Sequence, residues 1–220
     1  MEAAVPPTRL MDAFAPPGIV ALDSETKAPL LGQLAEQGST ETELHVRRDS
    51  LNVLYGHPAV VTGALRPGLA GRVVALQVAL RRGWRSVAWT RTGPLGGFRL
   101  RYTPHTIGSE RVRLRFAGDV HDMPAARPLG RLNVYRRVVA SWYGGGGSLA
   151  CGGWLTSSTL GVANKTLPCG TLVTLRYGGR SVRVPVVDRG PYVAGREFDL
   201  TEATKRALRF GSTGEVWSTG

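Results

Sequence analysis

Apolar and polar residues alternate with a period of two through much of the chain. In the middle section the alternating segments are 74–80, 98–102 and 111–116, and the last of these places three apolar side chains opposite three arginines. Such alternation is typical of strands with one buried face. Turn signals at 66–68, 82–83, 93–94 and 96–97 separate the strands at the spacing of a small sandwich. The pattern therefore predicts a β domain over residues 49–118.

A second pattern begins near the C-terminus and changes from strand to helix. Val182, Val184 and Val186 fall on one face of a strand, and Asp188 continues this inward series before Arg189-Gly-Pro interrupts it. After Phe198 the apolar positions follow a helical stripe, made of Leu200, Ala203, Ala207 and Leu208. Asp199 or Thr201 is the expected N-cap.

Two aspartates, Asp188 and Asp199, end the predicted strand and begin the predicted helix. A tight loop between them could bring both carboxyl groups to the rim of one cleft, an arrangement that suits acid/base chemistry on a sugar. Each has a simpler explanation. Asp199 with Glu202 matches a capping-box variant, and Asp188 beside Arg189 could be a turn residue with a neighbouring salt bridge.

Four motifs resemble the RlpA-like family of double-psi β-barrel domains. They are VASWYG at 139–144, GVANKTLPCGTLVTL at 161–175, VDRGPY at 187–192 and FDL at 198–200. The family includes septal lytic transglycosylases, with expansins and barwin-like proteins as more distant relatives. The resemblance covers about residues 136–210, and the Asp-Arg-Gly-Pro block followed by a second aspartate is its most specific part.

The resemblance implies a six-stranded double-psi β-barrel with a groove that holds a polysaccharide. It assigns acid/base catalysis to Asp188, with Asp199 as its electrostatic partner or, if the roles are reversed, as the acid. Sugar contacts would come from a further set of side chains: Ser141, Tyr143, Asn164 and Tyr192. Aromatic rings, including Trp142, suit this role because their faces stack on the apolar side of a pyranose. The expected fold class is all-β, with an Ig-like or prealbumin-like sandwich preceding the barrel.

The chain departs from the transglycosylase pattern at two places. Family enzymes commonly have a Glu where this chain reads Ala150-Cys-Gly-Gly, and a His where it has Asn164. A non-catalytic, expansin-like role in binding or loosening the wall is therefore the alternative to peptidoglycan lytic transglycosylase activity. A barwin-type protein-interaction module is a third hypothesis and predicts no glycan affinity.

The two cysteines, Cys151 and Cys169, lie within the predicted barrel. We expect them to form a disulfide that ties a glycine-rich loop to a strand, which favours an oxidising compartment. A pair of buried free thiols is the alternative. No metal or other cofactor is expected, since there is no Cys-x-x-Cys and all four histidines lie outside the barrel.

Charge and composition divide the chain further. Residues 1–50 carry 4 basic and 8 acidic residues, residues 51–128 carry 12 and 3, and residues 129–220 carry 12 and 5. We predict a disordered acidic leader at 1–48, a linker at 119–130, the barrel at 131–212 and a tail at 213–220. No signal peptide or transmembrane run is visible, yet the resemblance and the expected disulfide indicate an extracellular or cell-envelope location.

Arginines on the solvent side of the middle strands predict a cationic face. Its expected partners are anionic wall polymers, in addition to the peptidoglycan glycan strands bound by the barrel. Nucleic acid is not expected, because recognition motifs and aromatic platforms are not evident beside the arginines. A merely solvated basic face is the alternative.

Overall fold

The computed structural model describes residues 41–220, and the predicted leader lies outside the described residues up to position 40. Strands make up most of the described chain, which confirms the all-β class. No helix among residues 41–220 is long and apolar enough to cross a membrane.

The N-terminal region contains a three-stranded antiparallel sheet with the strand order β1-β3-β6. Its strands are β1 (Glu43–Ser50), β3 (Ala59–Arg66) and β6 (Gly97–Tyr102). Val61, Leu65 and Leu100 on these strands are almost fully buried. They face a second group of strands, with which they share one hydrophobic core.

The second group belongs to a larger sheet and runs in the order β8-β7-β4-β5. Its strands are β4 (Val73–Ala79), β5 (Trp84–Arg91), β7 (Gly108–Phe116) and β8 (Ala125–Tyr143), and the short β2 (Asn52–Leu54) pairs in parallel with β8. The predicted alternation is present, because Val74, Leu76 and Val78 are buried while their neighbours on β4 are not. Leu80 follows the strand and is half exposed.

Strand β8 contributes to two separate cores. Leu132 and Val134 pack in the N-terminal core, and Val138 and Ala140 pack in the C-terminal one. A strand of 19 residues is long enough to serve both, at about 3.3 Å per residue. The two regions are therefore joined through strand β8.

The C-terminal strands pair in a closed circuit with β8. Along the circuit β8 is followed by β14 (Phe198–Thr201), β11 (Val162–Ala163), β13 (Arg180–Asp188), β12 (Leu172–Tyr177) and β15 (Gly214–Ser218), which pairs again with β8. A small hairpin of β9 (Gly147–Ser148) and β10 (Trp154–Leu155) lies outside the circuit. The core at the centre of the closed circuit includes the fully buried side chains of Phe198, Leu200 and Val184.

The predicted helix is present as α1 (Glu202–Leu208), and Thr201 is its N-cap. The predicted apolar stripe is wrong in part, because Ala207 is exposed while Thr204 is fully buried. Thr204 is accommodated there by hydrogen bonds, which a propensity argument based on apolar residues does not detect.

Three predicted boundaries differ from the observed elements. Strand β1 begins at Glu43, inside the predicted leader, and β8 begins at Ala125, inside the predicted linker. The predicted tail contains β15, which pairs with β8 and β12. These segments are short or carry charges and prolines, so their apolar–polar alternation is weak. They form strands because they pair with neighbouring strands.

Because β15 completes the circuit, Val216 contributes to folding although it lies in the predicted tail. Val216 is 1% exposed. Val216→Ala should lower the free energy of unfolding by about 2 kcal/mol through lost burial and the cavity left behind. Val193→Ala, at a side chain that is 51% exposed, should change it by less than about 0.5 kcal/mol. Denaturant unfolding of both variants measures this, and equal stabilities would contradict a structural role for β15.

Candidate functional site

The two aspartates flank strand β11. In the strand register Ala163 pairs with Asp188 on one side and with Asp199 on the other, and Asp199 pairs in turn with Ser141 on β8. Neighbouring strands lie about 4.8 Å apart, so the α-carbons of the aspartates are about 10 Å apart with only an alanine between them. The structure thus brings together three residues that the sequence placed in the site.

This row lies on the face opposite the barrel core. Phe198 and Leu200, on either side of Asp199, are fully buried in the core, and side chains alternate along a strand. A register irregularity between Val162 and Ala163 places Asp188 opposite Ala163 while Val186 pairs with Val162. Simple alternation predicted an inward Asp188, and the extra residue at this bulge is the reason that prediction is wrong.

Backbone donors and a disulfide hold Asp188 in place. Its Oδ1 accepts hydrogen bonds from the amides of Ala150 (2.9 Å) and Arg189 (2.8 Å). The predicted disulfide between Cys151 and Cys169 is present, with α-carbons 5.5 Å apart, and the Cys151 amide also donates to the carbonyl of Val187 at 3.2 Å. The disulfide therefore fixes the loop whose amide contacts the carboxylate.

The guanidinium of Arg189 does not pair with the Asp188 carboxylate. Its Nη1 donates to the carbonyl oxygens of Asn164 (3.0 Å) and Leu167 (2.9 Å), and its Nη2 reaches Cys169 Sγ at 3.1 Å. The arginine thus braces the 164–169 loop. The local salt bridge between the two side chains, which formed part of the simpler explanation, is therefore absent.

Asp199 is held by side chains. Ser141 Oγ donates a hydrogen bond to its Oδ1, and Arg196 Nη1 donates to Ser141 Oγ at 3.3 Å. Thr201 caps α1, so the helix-cap explanation of Asp199 is excluded. Sequence reasoning missed Arg196. Its basic side chain three residues before Asp199 is a signal that could have indicated it.

A buried threonine network fixes β14 against the residue before β11. Thr201 Oγ1 and Thr204 Oγ1 both donate to the carbonyl of Gly161, at 3.1 and 2.9 Å. The amide of Gly161 donates in return to Thr204 Oγ1 at 3.0 Å. Gly161 lies two residues before Ala163. The network therefore fixes the position of Asp199 along the strand direction relative to β11.

Tyr143 lies close to both aspartates. Its hydroxyl is buried and has no partner within hydrogen-bond geometry among the described residues. Burial raises the pKa of this phenol well above its ordinary value, and the nearby carboxylates of Asp188 and Asp199 raise it further. The phenol therefore stays protonated and available as a donor beside the carboxylates.

Gly190 lies beside Asp199 and Tyr192 in a backbone conformation that favours glycine. It has φ +131°, a conformation that side chains rarely adopt, and a Cβ added there would lie 3.9 Å from Asp199 Oδ2 and 3.8 Å from the Tyr192 ring. Tyr192 itself is 82% exposed. The predicted sugar contact by Tyr192 is thus sterically accessible.

Asn164 does not fit the predicted role of sugar contact. It is 3% exposed, and its amide donates to the carbonyl of Glu197 at 3.1 Å while its oxygen accepts from the amides of Thr166 and Leu167. Asparagine commonly stabilises turns in this way. The side chain is committed to backbone partners, so the prediction of a binding role is not supported by the geometry.

The exposed aromatic side chains of the C-terminal region differ from the expected ones. Trp142 is 38% exposed, but Lys205 Nζ lies 3.5 Å above its ring centroid and covers one face. Trp154 on β10 is 65% exposed and was not predicted. An aromatic residue in a glycine-rich loop, where no core requires it, was the available signal. Among residues 41–220 no group of three or more His, Cys, Asp or Glu side chains is arranged to hold a metal ion.

Comparison with known proteins agrees with the geometry of the C-terminal region. Residues 135–216 match the double-psi β-barrel family model described as "Lytic transglycolase". The C-terminal region is therefore an RlpA-like double-psi β-barrel domain, which confirms the resemblance of the motifs.

Curated relatives match the same region. The "Probable endolytic peptidoglycan transglycosylase RlpA" of Aquifex aeolicus is 44% identical over 79 residues, covering 34% of this chain and 35% of that protein. The "Endolytic peptidoglycan transglycosylase RlpA" of Pseudomonas aeruginosa PAO1 is 37% identical over 93 residues, covering 40% and 27%. The chain thus spans about a third of the length of these relatives.

Among solved structures, the Streptomyces papain inhibitor covers 38% of this chain and 91% of its own, with a TM-score of 0.31 and 22% identity. This likeness is too low to support a conclusion.

Removing the disulfide should both destabilise the domain and loosen the Ala150 contact. Replacing Cys151 and Cys169 by serine should lower the free energy of unfolding by about 3 kcal/mol, the value expected for a loop of this length. Amide hydrogen exchange at Ala150 should accelerate, because its hydrogen bond to Asp188 depends on the loop. An unchanged exchange rate would show that the loop holds its position without the crosslink.

Tyr143 should titrate later than the exposed tyrosines. Because its folded pKa is raised, the native state binds its proton more tightly than the unfolded chain, so Tyr143 destabilises the fold as pH rises above about 10. Tyr143→Phe should reduce this loss of stability at high pH. Asp188→Asn should lower the pKa of Tyr143 by removing a nearby negative charge. Ultraviolet difference titration measures the ionisation of Tyr143, and denaturant unfolding as a function of pH measures the change in stability. A phenol that ionises with the exposed tyrosines would contradict the assigned environment.

Proposed function

We propose that the C-terminal barrel is a peptidoglycan lytic transglycosylase that cleaves the glycan strand and leaves an anhydro-muramyl end. The observation that carries the proposal is the row in which Asp188 and Asp199 flank Ala163 on the outer face. The family match and the names of the relatives support the same reaction class.

A lytic transglycosylase needs one carboxyl group that acts first as acid and then as base. In the proposed reaction protonated Asp188 gives its proton to the glycosidic oxygen as the bond from that oxygen to C1 breaks. The C6 hydroxyl of the same sugar then attacks C1, and its proton returns to Asp188. The ring closes without water or a protein nucleophile.

Asp188 suits the acid/base role because only its Oδ1 accepts the two backbone hydrogen bonds described above. Its Oδ2 is the oxygen proposed to face the sugar. Asp199, held by Ser141 and indirectly by Arg196, is proposed to stabilise the positive charge that develops at C1. The neutral hydroxyl of Tyr143 would donate to Asp188 when it is a carboxylate.

The missing glutamate favours a second candidate, a non-catalytic expansin-like wall binder. At the corresponding position this chain offers the backbone amide of Ala150, which can orient Asp188 but cannot transfer a proton. A binder would still use the exposed rings of Tyr192 and Trp154 to hold the sugar. The two candidates differ in whether soluble fragments are released.

We propose, further, that the middle region is an Ig-like or prealbumin-like sandwich and the barrel a six-stranded one. Two sheets packed on one core support the former, and the closed circuit of six strands supports the latter. The proposed domain division is a sandwich that begins at β1 and a barrel that includes β15.

The disulfide supports an extracellular or envelope location, where peptidoglycan and anionic wall polymers would be the partners.

Asp188→Asn should abolish the release of anhydro-sugar fragments from purified peptidoglycan while leaving the fold intact, because the amide cannot act as the acid. Glu215→Gln, at a half-exposed carboxylate on β15, is the matched control and should retain activity. Chromatography with mass spectrometry of the soluble fraction measures the products. Full activity of Asp188→Asn would overturn the assignment, and wall binding by the wild type without any fragments would favour the expansin-like candidate.

A further inference from the structure

The outer face of the β5-β4-β7 sheet carries tryptophans and arginines in register. Trp89 on β5 pairs with Ala75 on β4, which pairs with Arg115 on β7. Four residues further along β4, Ala79 pairs with Trp84. Paired residues lie on the same face of a sheet. The alternate residues of these strands, such as Val74 and Leu114, lie on the opposite face and point into the core.

The surface between the two tryptophans is shallow, ordered and polar. Gln77 lies between them, with its Nε2 donating to Ser86 Oγ at 3.1 Å and its Oε1 accepting from Arg113 Nε at 2.9 Å. The guanidinium of Arg113 also lies 4.2 Å from the centroid of the Trp84 ring. Ala75 and Ala79, the small residues paired with Trp89 and Trp84, leave the rings uncovered on the β4 side, and the two tryptophan positions are about 13 Å apart along the strand.

The two tryptophans are exposed without a structural need. Trp89 is 72% exposed and Trp84 is 36% exposed. Large aromatic rings on a solvent-facing sheet surface are more common where a ligand binds than elsewhere. The sequence argument that the arginines lack aromatic platforms is therefore wrong for this face.

The positive charge of this face is not neutralised by nearby carboxylates. Residues 51–128 contain three acidic residues, Glu110, Asp119 and Asp122, and both aspartates pair with the buried Arg72. None of the ion pairs found among residues 41–220 involves an arginine of β5 or β7. Arg113 and Arg115 are held by neutral groups, Gln77 Oε1 and the carbonyl of Ala125, so an anionic partner would meet guanidinium groups whose charge is not neutralised.

The cationic surface continues from the sheet to the barrel. Arg111 on β7 pairs with Arg131 on β8, and the pKa of Arg131 is lowered by burial and then by the charges of Arg183 and Arg111. Arg183 belongs to β13, the barrel strand that ends at Asp188. These residues with Arg113 and Arg115 form an arginine track that links the sheet face to the barrel.

We propose that this face, defined by Trp84, Trp89 and the arginine track, is a second glycan-binding surface that takes a carboxylate-bearing polysaccharide strand. Pyranose faces stack on the two indole rings, and the acidic groups bind the arginines between them. Single-stranded nucleic acid also combines stacking faces with negative charge. A glycan is favoured because the barrel of the same chain carries the proposed sugar site, so this step rests on the proposed function.

The probe is an oligogalacturonate, which carries one carboxylate on each pyranose, titrated into the full chain while tryptophan fluorescence is followed. The wild type should bind it saturably, and the neutral methyl ester should bind at least about 10-fold more weakly. Trp89→Ala should weaken binding about 10-fold, in line with the loss of one stacking platform. A double variant, Arg113→Gln with Arg115→Gln, should weaken it similarly and reduce its salt dependence.

Two controls separate this surface from the barrel site. Arg180→Gln, at an exposed arginine on the β12–β13 hairpin, should bind the probe like the wild type. Asp188→Asn should lose glycan cleavage and keep probe binding, whereas Trp89→Ala should retain cleavage of soluble glycan. Thermal unfolding of each variant confirms that the fold is intact.

Three outcomes would overturn the proposal. The first is wild-type affinity in Trp89→Ala and in the double arginine variant. The second is equal binding of the ester or of poly(glycerol phosphate), which carries charge without sugar faces, because charge or stacking alone would then explain the interaction. The third is tighter binding of oligo(dT), which would assign the face to nucleic acid.

Discussion

The pairing of the two-residue strand β11 with both β13 and β14 is the constraint on which the site depends. Ala163 has Asp188 on one side and Asp199 on the other, so the separation of the carboxylates is set by backbone hydrogen bonds. The side chains need not find each other across a flexible loop. Buried threonines 201 and 204 reinforce this arrangement by binding Gly161, just before β11. Geometry fixed in this way lowers the entropic cost of organising a reaction.

The two aspartates have different hydrogen-bonding environments. Asp188 is bound by backbone amides from a disulfide-anchored loop, whereas Asp199 is bound by Ser141 and, through it, by Arg196. The Arg196 guanidinium, which donates to Ser141 Oγ, thus lies one hydrogen bond away from Asp199. These two environments support the proposed division, in which Asp188 transfers the proton and Asp199 stabilises developing charge.

Much of the fold could be predicted from the sequence, because alternation and local motifs determine strands such as β4, β7 and β13. The motifs indicated both aspartates, Ser141 and Tyr143 as candidates, and the two cysteines within the predicted barrel predicted the disulfide. The sequence could not show the bulge at Val187, because a register shift depends on the partner strand. Strand β15 and the buried role of Asn164 were missed for a related reason, since pairing and backbone partners define them rather than local composition.

The central claim is that the carboxylates perform ring closure rather than hydrolysis. Incubating purified peptidoglycan with the protein in ¹⁸O-labelled water and analysing the released fragments by mass spectrometry tests this directly. The account predicts anhydro ends that lack one water relative to hydrolytic products and carry no label. Labelled reducing ends would contradict it by showing that water, rather than the sugar's own hydroxyl, attacks C1.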